Sequence, residues 1–216
     1  MKIAHFITSI DLSTGGPARS VTHLIKKITS NSKIEISLIT KKSSNPIISS
    51  FNNQSPVLFF NRRQDLKIIL NSLIKNKVEI FHGHGIWQYT VHKMAVFSRK
   101  NNIPYIITPR GMLEPWSLTQ KKYRKKFAML LYQKKDLEKA TVIHVTAKSE
   151  KIQIRNLGFK NPIAVIPNGV NLDKFPSSYP TKSISPKKIL FLSRLHKKKG
   201  IENLVEAWKL IDIKIK

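Results

Sequence analysis

The residues best suited to chemistry in this chain of 216 residues lie in four short stretches, each beside an apolar run: 13–17 (Ser-Thr-Gly-Gly-Pro), 82–87 (His-Gly-His-Gly-Ile-Trp), 108–116 (Thr-Pro-Arg-Gly-Met-Leu-Glu-Pro-Trp) and 193–200 (Ser-Arg-Leu-His-Lys-Lys-Lys-Gly). Gly15 and Gly16 lack Cβ atoms, so the backbone there can approach a phosphate. The helix expected behind Pro17 would add free N–H groups and a partial positive charge. The alternative is a plain flexible turn. His82 and His84, two apart at a strand end, point to the same side, which raises the question of a metal. No metal is expected: the chain has no cysteine and only 12 acidic residues, and its single Asp-x-acid pair, Asp136/Glu138, sits inside a basic helical stretch. His84 and Trp87 are read instead as lining a cleft, His84 as a hydrogen-bonding group and Trp87 as an aromatic face on which a ligand can stack; the alternative for Trp87 is the core. Arg110 can set a fixed charge beside a reacting centre, where it cannot accept a proton at ordinary pH. Its alternative is a surface salt bridge to Glu114. The basic loop from Arg194 to Lys199, between an apolar run and a helix start, suits an anion.

The elements that must position these residues follow from the hydrophobic pattern. Residues 2–8 carry Ile3, Ala4, Phe6 and Ile7, broken by His5 and Thr8, as a strand buried on both faces should. Further strands are expected over 34–40, 57–60, 78–81, 105–108, 142–145 and 164–166. Between them lie a helix after Pro17 with Val21, Leu24, Ile25 and Ile28 on one face, a second with Leu66, Ile69, Leu70, Leu73 and Ile74, and others over 89–100, 118–140 and 149–157. Strands alternating with helices predict α/β architecture: a parallel, Rossmann-like sheet with right-handed crossovers and helices on both faces. In such sheets ligands bind outside the carboxyl ends of the strands, where the Gly, His and Arg stretches fall. After a polar spacer, 189–192 is expected as one more strand, and a helix opens at Ile201.

Val165-Ile166-Pro167-Asn168-Gly169-Val170 with Phe175, followed by Arg194-Leu195 and Lys199-Gly200, resembles the interdomain segment and the first strand–loop of the second domain in glycosyltransferase family four, the retaining GT-B enzymes. The resemblance runs from Met1 through the whole chain. It implies two Rossmann-like domains face to face, a nucleotide-sugar donor in the cleft, a glycan or lipid-linked acceptor, retention of configuration, and neither metal nor other cofactor. By the same resemblance Gly15 and Gly16 lie against the donor diphosphate or the acceptor, Arg110 before Gly111 contacts the sugar, and Arg194 and Lys199 hold the diphosphate. The family's two glutamates separated by seven residues have no counterpart, since no two glutamates here have that spacing. The expected organisation is therefore a GT-B N-terminal domain over 1–167, a linker over 168–186, and over 187–216 an incomplete start of the nucleotide-sugar-binding domain. About 30 residues cannot enclose a core. The chain alone is expected to be weakly active or inactive, and a separate chain carrying the second domain is an expected partner.

Charge is the unusual feature of the composition: 39 Lys and Arg against 12 Asp and Glu give a net charge of +27. Such a surface attracts polyanions. A basic nucleic-acid-binding protein and a non-catalytic remnant are the rival readings. Nucleic acid is not expected as a partner, because no RNA-recognition signature, zinc-finger spacing or stacking platform is present. Over 118–140 the cations accompany Tyr123, Phe127, Leu130 and Leu131 at helical spacing. That pattern predicts an apolar stripe packed on the sheet and cations turned to an anionic membrane surface. Neither a signal peptide nor a spanning segment is legible, which predicts a cytoplasmic protein with room for a peripheral place on the inner face of the membrane.

Overall fold

The computed structural model describes residues 1–31, 33–48, 51, 55–170, 172, 189–193, 195 and 197–211. The chain divides into two units, Met1–Val170 and Asn171–Lys216. In the first, seven strands form one parallel sheet: β1 (Lys2–Ile7), β2 (Glu35–Lys41), β3 (Val57–Phe60), β4 (Ile80–His84), β5 (Tyr105–Thr108), β6 (Val142–Val145) and β7 (Ile163–Val165). Their order is β3-β2-β1-β4-β5-β6-β7, each neighbouring pair parallel. The order reverses between β1 and β4, which makes their carboxyl ends the topological switch point where such sheets hold ligands.

Alternation along the strands separates two cores. Ala4, Phe6, Ile39, Phe81, Ile107, Ile143 and Val145 face one way, towards α2 (Arg63–Lys75), α3 (Tyr89–Lys100) and α7 (Lys148–Asn156). Ile7, Ile36 and Leu38 face the other way, where Ala18, Val21 and Ile25 of α1 (Gly16–Asn31) cover them. Leu24, expected in that stripe, is exposed instead. In the sequence His-Gly-His of β4, the histidines point to the α1 side and Gly83 to α3. A Cβ on Gly83 would stand 2.7 Å from Val91 Cγ1 and 2.9 Å from Met94 Cε, so glycine is what lets α3 close on the sheet.

The expected long helix over 118–140 is broken and turned. It comprises α4 (Pro115–Thr119), α5 (Lys122–Ala128), a π turn (Met129–Gln133) and α6 (Lys134–Glu138). The break falls at Gln120 and Lys121, where Lys121 takes φ 54°. Tyr123, Phe127, Leu130 and Leu131 do not pack on the sheet but are exposed, which corrects the sequence expectation. Gln133, Asp136 and Leu137 are the residues turned inward. The reason is polar: Asp136 accepts from Arg99 Nη1 at 2.9 Å and bonds His92 Nδ1 at 2.6 Å, and its backbone carbonyl accepts from Tyr105 Oη at 2.8 Å. A buried carboxylate stripped of these partners would be costly, so the helix keeps Asp136 turned inward against them.

In the second unit, a short turn at Lys197–Lys199 leads through Gly200, at φ 65°, into α8 (Ile201–Lys209). Ile189, Leu190, Phe191 and Leu192 are exposed and have no strand partner, so the expected strand does not form among the described residues. Most of the expected linker over 168–186 lies outside those residues. Among them, no helix is long and apolar enough to cross a membrane.

Candidate functional site

Three histidines occupy the switch point on the α1 face of the sheet. His5 of β1 is in register with His82 of β4, and Ile7 with His84. The three rings are buried, and their ligand atoms lie within 4.8 Å of one another. Thr108, the last residue of β5, bridges His82 Nε2 at 2.7 Å and His144 Nδ1 at 3.0 Å, and His144 Nε2 donates to the Ile166 carbonyl at 3.0 Å. Burial holds all three rings of the trio neutral. It lowers the pKa of His5 to about 3, with the Arg110 and His144 charges assisting, and lowers those of His82 and His84 well below the usual histidine value.

Arg110 decides how the protons are arranged. It sits in the left-handed region, φ 56°, with Gly111 behind it at φ 70°. This kink turns its side chain back over the sheet end. Nη2 donates to His84 Nδ1 at 3.2 Å, and Nη1 to Ser20 Oγ at 2.8 Å and Asn168 Oδ1 at 3.2 Å. A guanidinium can only donate. His84 must therefore accept at Nδ1 and carry its proton on Nε2, which donates to His5 Nδ1 at 2.8 Å. Those tautomers make the rings a hydrogen-bonded support for Arg110, and the same three rings hold their ligand atoms close enough together for a metal ion. The turn itself is pinned by Glu150, which accepts from Gly111 N at 2.6 Å and from Thr146 N at 3.0 Å. Burial lowers the Arg110 pKa, and the Glu150 charge opposes that shift.

Of the residues singled out in the sequence, the structure draws His84, Arg110 and Gly111 together at the carboxyl ends of β4 and β5. Gly15 and Gly16 open α1 at the end of β1. Arg110 is tied to that helix through Ser20, and Gly15 needs its freedom, standing at φ 82° and ψ −138°. A Cβ on Gly16 would meet nothing within 4 Å, so the space beside it is open. Trp87, for which the core was the alternative, is half-buried against it. It packs at the edge of the core and lines an outer groove with Leu118, Phe127 and Leu130, its backbone N–H donating to Gln133 Oε1 at 2.7 Å. Lys199 is exposed in its turn, and Arg194 lies outside the described residues. Sequence reasoning gave no site role to His5, His144, Ser20, Asn168 or Glu150. For the two histidines a signal existed: each is a titratable residue inside a strand otherwise read as buried.

The chain matches the model of Glycosyltransferase Family 4 over residues 14–174. Its fold is similar to that of sucrose-phosphate synthase from Thermosynechococcus elongatus, at 15% identity and TM-score 0.58 over 80% of this chain and 49% of that one. It is similar also to HepE from Anabaena in complex with UDP-glucose, at 14% identity and TM-score 0.59 over 80% of this chain and 45% of that one. A third likeness is to UGT2 of Phytolacca americana complexed with UDP-2fluoro-glucose and pterostilbene, at 11% identity and TM-score 0.51 over 76% and 52%. This chain thus spans about half the length of these structures. No curated protein matches the sequence significantly. At such identities the structural likeness concerns the fold, which is the Rossmann-like fold of GT-B glycosyltransferases. The family match, in contrast, is one of sequence and takes in the glycine turn, the histidine strand, Arg110 and Asn168; the chain belongs to Glycosyltransferase Family 4.

Proposed function

We propose that this α/β unit is the acceptor-side half of a sugar transferase, which moves a sugar from a nucleotide donor to a glycan or lipid-linked acceptor with retention and without a metal. The observation that carries the reading is Arg110, a cation held at the switch point by His84, Ser20 and Asn168. When a nucleoside diphosphate leaves a sugar carbon, negative charge builds on the bridging oxygen, and a preplaced cation lowers that barrier because it need not reorganise. In this reading Arg110 and Gly111 meet the sugar, Gly15 and Gly16 admit the diphosphate or acceptor, and Arg194 and Lys199 bind the diphosphate from the second unit. His84 is a positioning residue, neutral and accepting from Arg110, not a proton acceptor for the reaction. Efficient transfer then needs a nucleotide-binding α/β unit of the size that the matched structures carry, within one longer protein or as a separate chain. A cytoplasmic place, where nucleotide sugars are made, belongs to the same proposal.

The test is to supply the purified chain with a panel of nucleotide sugars, UDP-glucose among them, and with glycan and lipid-linked acceptors, alone and together with a second-domain fragment from a relative. Transfer is expected with the fragment. Arg110→Lys, which keeps a charge but not the planar fork, is expected to lower kcat/KM about 100-fold. Strong transfer by the chain alone would remove the two-unit requirement, and absence of transfer in every combination would remove the transferase reading.

A further inference from the structure

Helix α5 and the π turn that follows it present an apolar stripe outward. Tyr123, Phe127, Leu130 and Leu131 are 85%, 63%, 82% and 62% exposed. They recur at the i, i+4, i+7 and i+8 spacing that marks one helical face. Beside the stripe lies a groove of about 720 Å³, walled by Trp87, Leu118, Phe127, Met129 and Leu130. This orientation is fixed from within, because Gln133 and Asp136 are bound to Trp87, His92 and Arg99 on the inner face. An apolar stripe of this kind on a monomer marks a surface that something covers.

The surrounding charge identifies the cover. Lys122, Arg124, Lys126, Lys134 and Lys135 flank the stripe and are exposed. The one acid among them, Glu138, is 3.7 Å from Lys134. A second copy of a chain with net charge +27 would bring like charge against like. Nucleic acid meets the cations but offers no apolar layer for two leucines and a phenylalanine. An anionic bilayer offers both at the required depths, with phosphates at the surface and acyl chains a few ångströms below. We propose that residues 122–138 dock this protein on the surface of an anionic phospholipid bilayer, lying flat with Phe127, Leu130 and Leu131 among the upper acyl carbons and the lysines at the phosphates.

The docking face is joined to the strand-end site. Trp87, three residues beyond His84, donates from its backbone N–H to Gln133, and its carbonyl accepts from Tyr132 Oη at 3.2 Å. A molecule carried in the bilayer would arrive beside the loop that follows β4. The inference itself does not rest on sugar transfer, and binding can be measured without donor or acceptor.

The full chain is sedimented with vesicles of phosphatidylcholine and with vesicles containing phosphatidylglycerol, over a salt series, and tryptophan quenching by brominated acyl chains reads depth. Binding is expected on the anionic vesicles, weakening with salt, and with quenching. Phe127→Ser with Leu130→Ser, both exposed and so compatible with an unchanged melting temperature, is expected to weaken it at least about tenfold. Lys122→Gln with Lys126→Gln is expected to weaken it by up to about fivefold for each cation. Equal binding to neutral and anionic vesicles, vesicle binding that neither double variant changes, or tighter binding to an RNA oligonucleotide than to anionic vesicles would each overturn the proposal. Loss of vesicle binding with transfer to soluble acceptors intact would fault the docking face alone.

Discussion

At the scale of the residue, one arginine sets the protons of the site. Arg110 can only donate, so the chain Arg110–His84–His5 has one consistent direction, with both rings neutral. Neutrality has a consequence for stability. The folded-state pKa of His5, His82 and His84 lies below the unfolded value of 6.5, so the unfolded chain takes up protons that the folded protein refuses. The stability contributed by these rings is whole above pH 6.5 and is lost as pH falls below it, by up to ~1.4 kcal/mol per pH unit for each ring. For His5 that loss continues to about pH 3. The urea midpoint is expected to fall steadily from pH 6.5 to pH 5 and to fall less steeply in His5→Gln. A midpoint constant over that range would show that the rings are protonated in the native state.

At the scale of the element, the shape of the site depends on how closely helices approach the sheet. Gly83 separates the two histidines of β4 and faces α3, where Val91 and Met94 leave no room for a methyl group. Gly83→Ala is therefore expected to destabilise the protein by about 1–3 kcal/mol through overpacking, although the position is strand and alanine is otherwise compatible with it. Chemical denaturation measures the change directly. Unchanged stability would mean that α3 can shift, and the register of His82 and His84 would then be less firmly held than the packing implies. The α5–α6 segment follows a different rule. There, hydrogen bonds to a buried carboxylate override hydrophobic periodicity and leave the apolar stripe to the outside.

At the scale of the whole molecule, the chain comprises one sheet-centred unit, Met1–Val170, and a second, Asn171–Lys216, whose described part is a turn and a helix. Amides of β1, β4 and β5, central in the sheet, are expected to exchange with solvent only through global unfolding. The exposed Ile189–Leu192 stretch is expected to exchange orders of magnitude faster. Mass spectrometry of exchange on the intact chain distinguishes the two, and slow exchange at 189–192 would mean that these residues have a sheet of their own.

The order of strands and helices, the loops that carry chemistry and the family itself were legible in the sequence, because period-2 and period-3.6 patterns and short motifs are local properties. His84, Arg110 and the paired glycines stood out for the same reason. What the sequence could not decide was which residues would be neighbours across strands far apart in the chain. His5 and His84 are 79 positions apart and Arg110 and Ser20 are 90 apart. Only the β3-β2-β1-β4 order brings them to one switch point. Nor could it decide which way residues 122–138 would turn. Their composition allowed an inward apolar stripe, and the buried partners of Asp136, contributed by α3 and β5, turned that stripe outward.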